Sequence, residues 1–336
     1  MNESDCIADL GLYELDRHHW LEAHNGSLDG FSTMHGKLLM DHVAEMEDLK
    51  AHQRIPGHIN SLVLTNENRH PLGQSLNSYS KTAELITDHH VYKAQAFVQQ
   101  LFAVTLSDAK VIRAPQQVLP ASSLGAVYSC GSRHHVIVVP EQSFDPMGVL
   151  VRQYAIAAHY TLMRVKPGLA AMMSDDLTQA MVGQYALLRF ATQHPDQCRI
   201  MSHLQLLVSW EFAKELSKTP EMPMGFIVSD LGEALMRAYG TGMFRAIVQE
   251  LYESASHGRA IWFGSNNFTG TAMALAFLGD DYGMGRFMAI DAGNRTLADK
   301  LAEAFPGSES DGFQWMQSSF NSSLASIIQA ATAKAA

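Results

Sequence analysis

The sequence is short of several things, and each shortage excludes something. Only three of its 336 residues are cysteine: Cys6, Cys130 and Cys198. Their odd number and wide spacing make neither a disulfide framework nor a zinc-finger ligand set, and suit a reducing compartment. Charge is sparse at 17% of residues, Lys and Arg never cluster, and the formal net charge is −10. That balance argues against nucleic acid or an anionic membrane as a partner. No apolar run approaches the roughly eighteen residues of a membrane span. The start, "MNESDCIADLGLYELDRHHW", has no basic stretch leading into an apolar one, so no secretory signal is expected there. The expectation is a soluble, cytoplasmic protein, for which the sequons at Asn25, Asn267 and Asn321 carry no meaning. Export by a route without a cleaved signal would leave the same sequence.

What is present is a core. At 47% apolar residues the chain can bury a full hydrophobic interior, and disorder is not expected over most of its length. Residues 1 to about 53 read as helical, with Leu39, Val43, Met46 and Leu49 on one stripe. Residues 53–81 are punctuated by Pro, Gly and Asn and read as a connector with at most one short strand, "SLVLT". A helix is predicted over about 82–106, with Thr82 or Ser80 as its cap. Two β runs follow, "AKVIRAP" and "GAVYSCGSRHHVIVVP", the second turning near Cys130-Gly131-Ser132. From 146 on the pattern is helical, with breaks at 166–168, 194–195, 219–220 and "GSNNFTG". The predicted class is α+β, predominantly helical, with a small sheet. The predicted division is an N-terminal helical region and connector (1–81), a main domain (82–310) and a C-terminal helix or tail (311–336).

One order of elements is specific. An edge-like strand "HHVIVV" leads through "PEQSFDP" into a helix, "VLVRQYAIAAHYTLMR" (149–164), and a second helix follows, "SDDLTQAMVGQYALLRFA". This order resembles the gluzincin metallopeptidases, in which a strand lining the substrate cleft precedes a helix bearing His-Glu-x-x-His and a later helix supplies a third ligand. Residues 268–305, "FTGTAMALAFLGDDYGMGRFMAIDAGNRTLADKLAEAF", are similar to the closing helices of such peptidases. The likeness covers about residues 82–305 and is one of pattern, not of motif. It implies a zincin-like fold, with the strand residues His135, Ile137 and Val139 edging a ligand cleft.

In that motif two imidazoles, four residues apart on one helical face, grip Zn²⁺, and the Glu takes a proton from the bound water. Read from residue 152, the five positions here are Arg152-Gln153-Tyr154-Ala155-Ile156, and Asp176 falls at a third-ligand distance. Read from 155, only His159 survives. Neither register assembles a zinc site. Arg152 places a cation where the metal would be and is expected to pair with Asp175 or Asp176. Gln153 has no useful proton affinity. No metal or cofactor is expected. A lone helix with Val151, Ala155, Ala158 and Leu162 on one stripe would otherwise read as ordinary core.

Sixteen histidines invite other readings. His18, His19, Glu22 and His24 form one group; His42, Glu45, Asp48 and His52 form another. Solvated helix faces explain both better than metal sites, because no pair of Glu-x-x-His motifs occurs. His89-His90 and His134-His135 are expected at surface or capping positions, although the pairs could meet at a cleft rim. His203, Tyr239 and His257 lie where such peptidases place an oxyanion-stabilising residue. "GDDYGMG" lacks the third glycine and the preceding strand of a nucleotide-binding turn. Cys130 has no His partner in sequence, and the 18 methionines suit either an adaptable groove or gap-filling in a core.

Two functional expectations follow. The first is a catalytically inactive, peptidase-like protein that binds a peptide or protein in a vestigial cleft. The alternative is a different enzyme, metal-dependent or not, using His159, Asp175 and Asp176 in a remodelled pocket. A purely structural helical interaction protein is compatible with the same residues.

Overall fold

The computed structural model describes residues 3–31, 59, 61–77, 82–216, 223–256, 265–306 and 312–332. It is α+β and predominantly helical, with thirteen α-helices and a few short strands among the described residues. The stripe at 39–49 lies outside them, as do His42, Glu45, Asp48, His52 and His257.

The helix at the centre, α4, spans Pro146–Met163 and is buried without a break from Pro146 to His159. A helix buried over that whole length is surrounded by other elements. Its neighbours are α3 (Asp88–Phe102) on one flank and α5 (Asp176–Gln193) on another. α11 (Asp281–Ile290) and a three-stranded sheet complete the shell. α4 starts where it does because the Asp145 side chain accepts from Gly148 N and Pro146 takes the first helical position. α5 starts at 176 because Asp175 caps it, accepting from Thr178 N.

The sheet has the order β2-β4-β3, with β2 (Ala109–Ala114) parallel and β3 (Ala126–Cys130) antiparallel to β4 (His134–Pro140). The hairpin turns at Gly131–Arg133, where the sequence placed it. The expectation that 135–139 forms the edge fails. β4 is the middle strand, and His135, Ile137 and Val139 are buried between its neighbours. Its unbroken apolar run is the mark of a strand covered on both faces, so those three residues edge no cleft. A separate two-stranded ribbon pairs β1 (Glu84–Leu85) with β5 (Gln142–Ser143).

Other boundaries also differ. The helix predicted from 82 begins at 88, capped by Thr87 in a reciprocal box with His90. "SLVLT" buries Leu62 and Leu64 and exposes Val63, yet it is not a strand; both backbone groups of Val63 are satisfied by the side-chain amide of Gln317. The connector contains a helix, α2 (Asn66–Asn77), despite Pro71. α2 packs against α8 (Asp230–Tyr239), and a Cβ on Gly73 would lie 2.5 Å from Ala238 O. The expected break at "GSNNFTG" is instead the start of α10 (Ser265–Ala276), which packs tightly on α5. The C-terminal segment forms α13 (Gly312–Thr332), docked on α10 and α2 rather than trailing as a tail.

Candidate functional site

Four residues singled out by the register from 152 meet in one cavity. Arg152, Gln153 and Ile156 stand on one face of α4 and Asp176 at the start of α5, around about 440 Å³ of space. Gly125, Ala126 and Val127 form one wall, at the entry to β3; Gln179 and Ala180 of α5 and Asn266 and Asn267 of α10 form the other.

Arg152 is the unusual member. Its side chain is buried, and among the described residues its one hydrogen bond runs from Nη2 to Asn267 Oδ1 at 2.9 Å. Nε is buried with no partner. The expected ion pair with Asp175 or Asp176 does not form, and no carboxylate among the described residues answers the charge. Burial alone therefore pushes the guanidinium down to about 10. Asp176 is exposed and stands at the rim. Room for the arginine stem comes from Gly183 in α5, where a Cβ would lie 2.7 Å from Arg152 Cγ.

Gln153 donates its side-chain amide to Leu124 O and ties α4 to the segment before β3, while its Oε1 has no partner. Gly125, at φ +73°, makes the entry to β3, and a Cβ there would lie 2.5 Å from Val138 O. Among the described residues β3 pairs with β4 alone. Ser129 turns its carbonyl outward to Arg17 of α1 (Glu3–Ala23). By the two-residue repeat of a strand, Val127, which lines the cavity, turns its N–H and C=O away from β4 as well.

A second compartment of about 250 Å³ lies end to end with the first along α4. Neighbouring residues of three segments line the two: Leu124 and Gly125, Asn267 and Phe268, and, one helical turn apart, Val149 and Arg152. Leu206 adds to its apolar lining. At its base Asp145 Oδ2 meets His203 Nε2 at 3.0 Å and the Cys198 thiol at 3.2 Å. Burial and the adjacent Asp145 carboxylate hold the Cys198 thiol well above its ordinary value, which opposes a nucleophilic role.

The other candidates are structural. His159 is absent from both compartments; its Nε2 lies 2.9 Å from Asp291 Oδ2 in a buried network. There Lys300 Nζ donates to Asp291 Oδ1, Asp175 Oδ2 and Thr178 Oγ1, each at 2.8 Å. Burial alone would raise the Asp291 carboxyl, but His159 and Lys300 outweigh it and hold it far below the carboxylate range. His159 and Asp175 are thus committed to packing α4, α5 and the end of α11 together, and no site joins them to Asp176. Tyr239 is buried and donates to Glu211 Oε2 at 2.7 Å, in a cluster with Arg69. His203 serves Asp145, so neither residue stands free for an oxyanion.

His135 is sandwiched between Ser129 Oγ at 2.8 Å and Thr161 Oγ1 at 2.9 Å. His89 and His90 line a separate hollow beside Glu84 and Cys198. In α1, His18 pairs with Glu22 at 3.2 Å and His24 stacks on Trp20. "GDDYGMG" is a helix start, with Asp280 accepting from Gly283 N. Many methionines fill the interior, among them Met181, Met273, Met284 and Met288.

The residues at the cavity do not fit a zinc ion, since Asp176 is the one metal-binding type among the four. Among the described residues no three His, Cys, Asp or Glu side chains come together as a metal ion requires. No helix is long and apolar enough to cross a membrane among the described residues. Sequence reasoning missed Asn267 and Gly183, whose roles depend on contacts between helices far apart in the chain. No protein-family model, curated protein or solved structure matches the sequence.

Proposed function

We propose that this chain is a non-catalytic, peptidase-like binding protein that holds an extended peptide segment in the cleft along α4. One observation carries the reading: Arg152, Gln153, Ile156 and Asp176, the positions a gluzincin would use for its ligands and base, line a single cavity beside β3, whose outer edge pairs with no strand among the described residues. Where that chemistry would need imidazoles and a carboxylate base, this cavity offers a guanidinium, an amide and an isoleucine, none of which activates water. A cleft along α4 remains, edged by β3 instead of by the strand at 135–139. An extended chain laid beside β3 would meet the outward N–H and C=O of Val127, and its side chains would enter the two compartments.

The test is titration of the full-length protein with a fluorescent pool of random hexapeptides, followed by mass spectrometry of the pool. The expected result is saturable binding, no cleavage, and indifference to a chelator. Val127→Pro, which removes an outward donor without breaking the ladder to β4, should weaken binding by about tenfold. Absence of saturable binding, or peptide cleavage by the purified protein, would overturn the reading.

A further inference from the structure

We propose that the Arg152 end of the cleft is a carboxylate site, and that it takes the C-terminal carboxylate of the bound peptide. This rests on the binding role proposed above and names the chemistry of its ligand.

A guanidinium carries five N–H donors, and here one is engaged, by a neutral amide. A buried arginine ordinarily has an anion beside it, because removing an unpaired charge from water is costly. Here the space beside it is a cavity whose one carboxylate, Asp176, is exposed at the rim and makes no ion pair with the guanidinium. Gly183 gives up a side chain in the middle of α5 where the arginine stem crosses it, so the placement is built into the packing. Among the described residues no carboxylate meets the guanidinium, and the partner this cavity would take is an anion from outside.

Its class follows from the surroundings. One guanidinium balances one negative charge, and the other polar groups at the cavity, Gln179, Asn266 and Asn267, are neutral amides. Asp176 at the rim would repel a dianion such as a phosphate monoester. A carboxylate fits, and its planar pair of oxygens matches the guanidinium fork. Geometry favours a chain terminus as the source. A peptide running along β3 past Val127 would bring its end to Arg152, which lines the same cavity, and the neighbouring apolar compartment would take the side chain of a residue close to that end.

The experiment compares hexapeptide pools ending in Leu or Phe, as the free acid and as the C-terminal amide, by fluorescence polarisation with the full-length protein. The free-acid pool should bind at least about tenfold tighter, and Arg152→Gln should abolish that difference, while Arg152→Lys keeps part of it. Circular dichroism of each variant establishes that it is folded. Equal binding of acid and amide by the wild type would overturn the carboxylate site and leave the peptide cleft standing. An amidated pool ending in Glu that matched the free acid would assign the carboxylate to a side chain and overturn the C-terminal claim. N-acetylglycine separates the two proposals. If it raises the melting temperature of wild type but not of Arg152→Gln while no pool binds, the carboxylate site stands and the peptide cleft falls. If neither it nor any pool binds, both fall.

Discussion

Arg152 crosses α5 at Gly183, so closely that a Cβ on the glycine would sit 2.7 Å from Arg152 Cγ and 3.4 Å from its Nε. Glycine inside a helix costs about 1 kcal/mol relative to alanine, and here the cost is tied to the arginine. Gly183→Ala should therefore lower stability by about 1–3 kcal/mol in the wild type. In an Arg152→Ala background the same change should become neutral or stabilising by up to about 1 kcal/mol. Urea unfolding of the four proteins in this cycle gives the answer; additive effects would mean that the two positions do not communicate.

The unanswered charge makes a prediction of its own. Its ordinary value is 12.5 and burial brings it to about 10, which puts the burden on the folded state at roughly 3 kcal/mol. Arg152→Met should raise the stability of the ligand-free protein by about 1–3 kcal/mol, since a buried charge is exchanged for an apolar side chain of similar length. A lower urea midpoint for the variant would show that the guanidinium is compensated within the protein.

Lys300 is the opposite case, a buried cation fully answered by Asp175 and Asp291. Burial works against its charge, but the two carboxylates outweigh it and hold the lysine above its usual value. Lys300→Met should cost about 3–5 kcal/mol, because two carboxylates are left facing one another without a cation. Adding Asp291→Asn should recover part of the loss. A small effect of Lys300→Met, under about 1 kcal/mol, would mean that water reaches this network.

His135 predicts an acid limb. Burial first, then the nearby Arg164 charge, push it down to about 4 from 6.5. The folded state thus resists a proton that the unfolded chain accepts, so stability is unaffected above 6.5 and is lost as pH falls toward 4. The loss from this residue reaches at most about 3 kcal/mol. Urea midpoints measured from pH 7 to pH 4 should fall more steeply for wild type than for His135→Gln. Parallel curves would remove His135 as the cause.

Much of the fold was legible residue by residue. The hairpin at Gly131, the helix beginning after Asp145-Pro146 and the helix beginning after Asp175 follow from local chemistry: a turn glycine, capping carboxylates and an N-terminal proline. α2 was not legible. Pro71 and Gly73 argue locally for a loop, and packing against α8 and α13 overrides them. "SLVLT" alternates like a strand, but Gln317, more than 250 positions away, supplies its hydrogen bonds. His135, Ile137 and Val139 illustrate a further limit. Their β character was plain, but whether a strand lies at the edge or in the middle depends on which other strands join it.

The candidate site divides in the same way. The sequence by itself determined that the two ligand positions and the base position of the motif, Arg152, Ile156 and Gln153, hold no imidazole and no carboxylate, because side-chain chemistry does not depend on where the side chain sits. It also determined that α4 would carry an apolar stripe, Val151, Ala155, Ala158 and Leu162, for a core to cover. Only the tertiary structure decided that Arg152 would stand beside Asn267 and over Gly183, unpaired with any carboxylate among the described residues. It likewise decided that His159 and Asp175 would be drawn into the Lys300 network instead. Those outcomes depend on how α4, α5, α10 and α11 pack, and distances between such elements are set by the whole core rather than by any one stretch of chain.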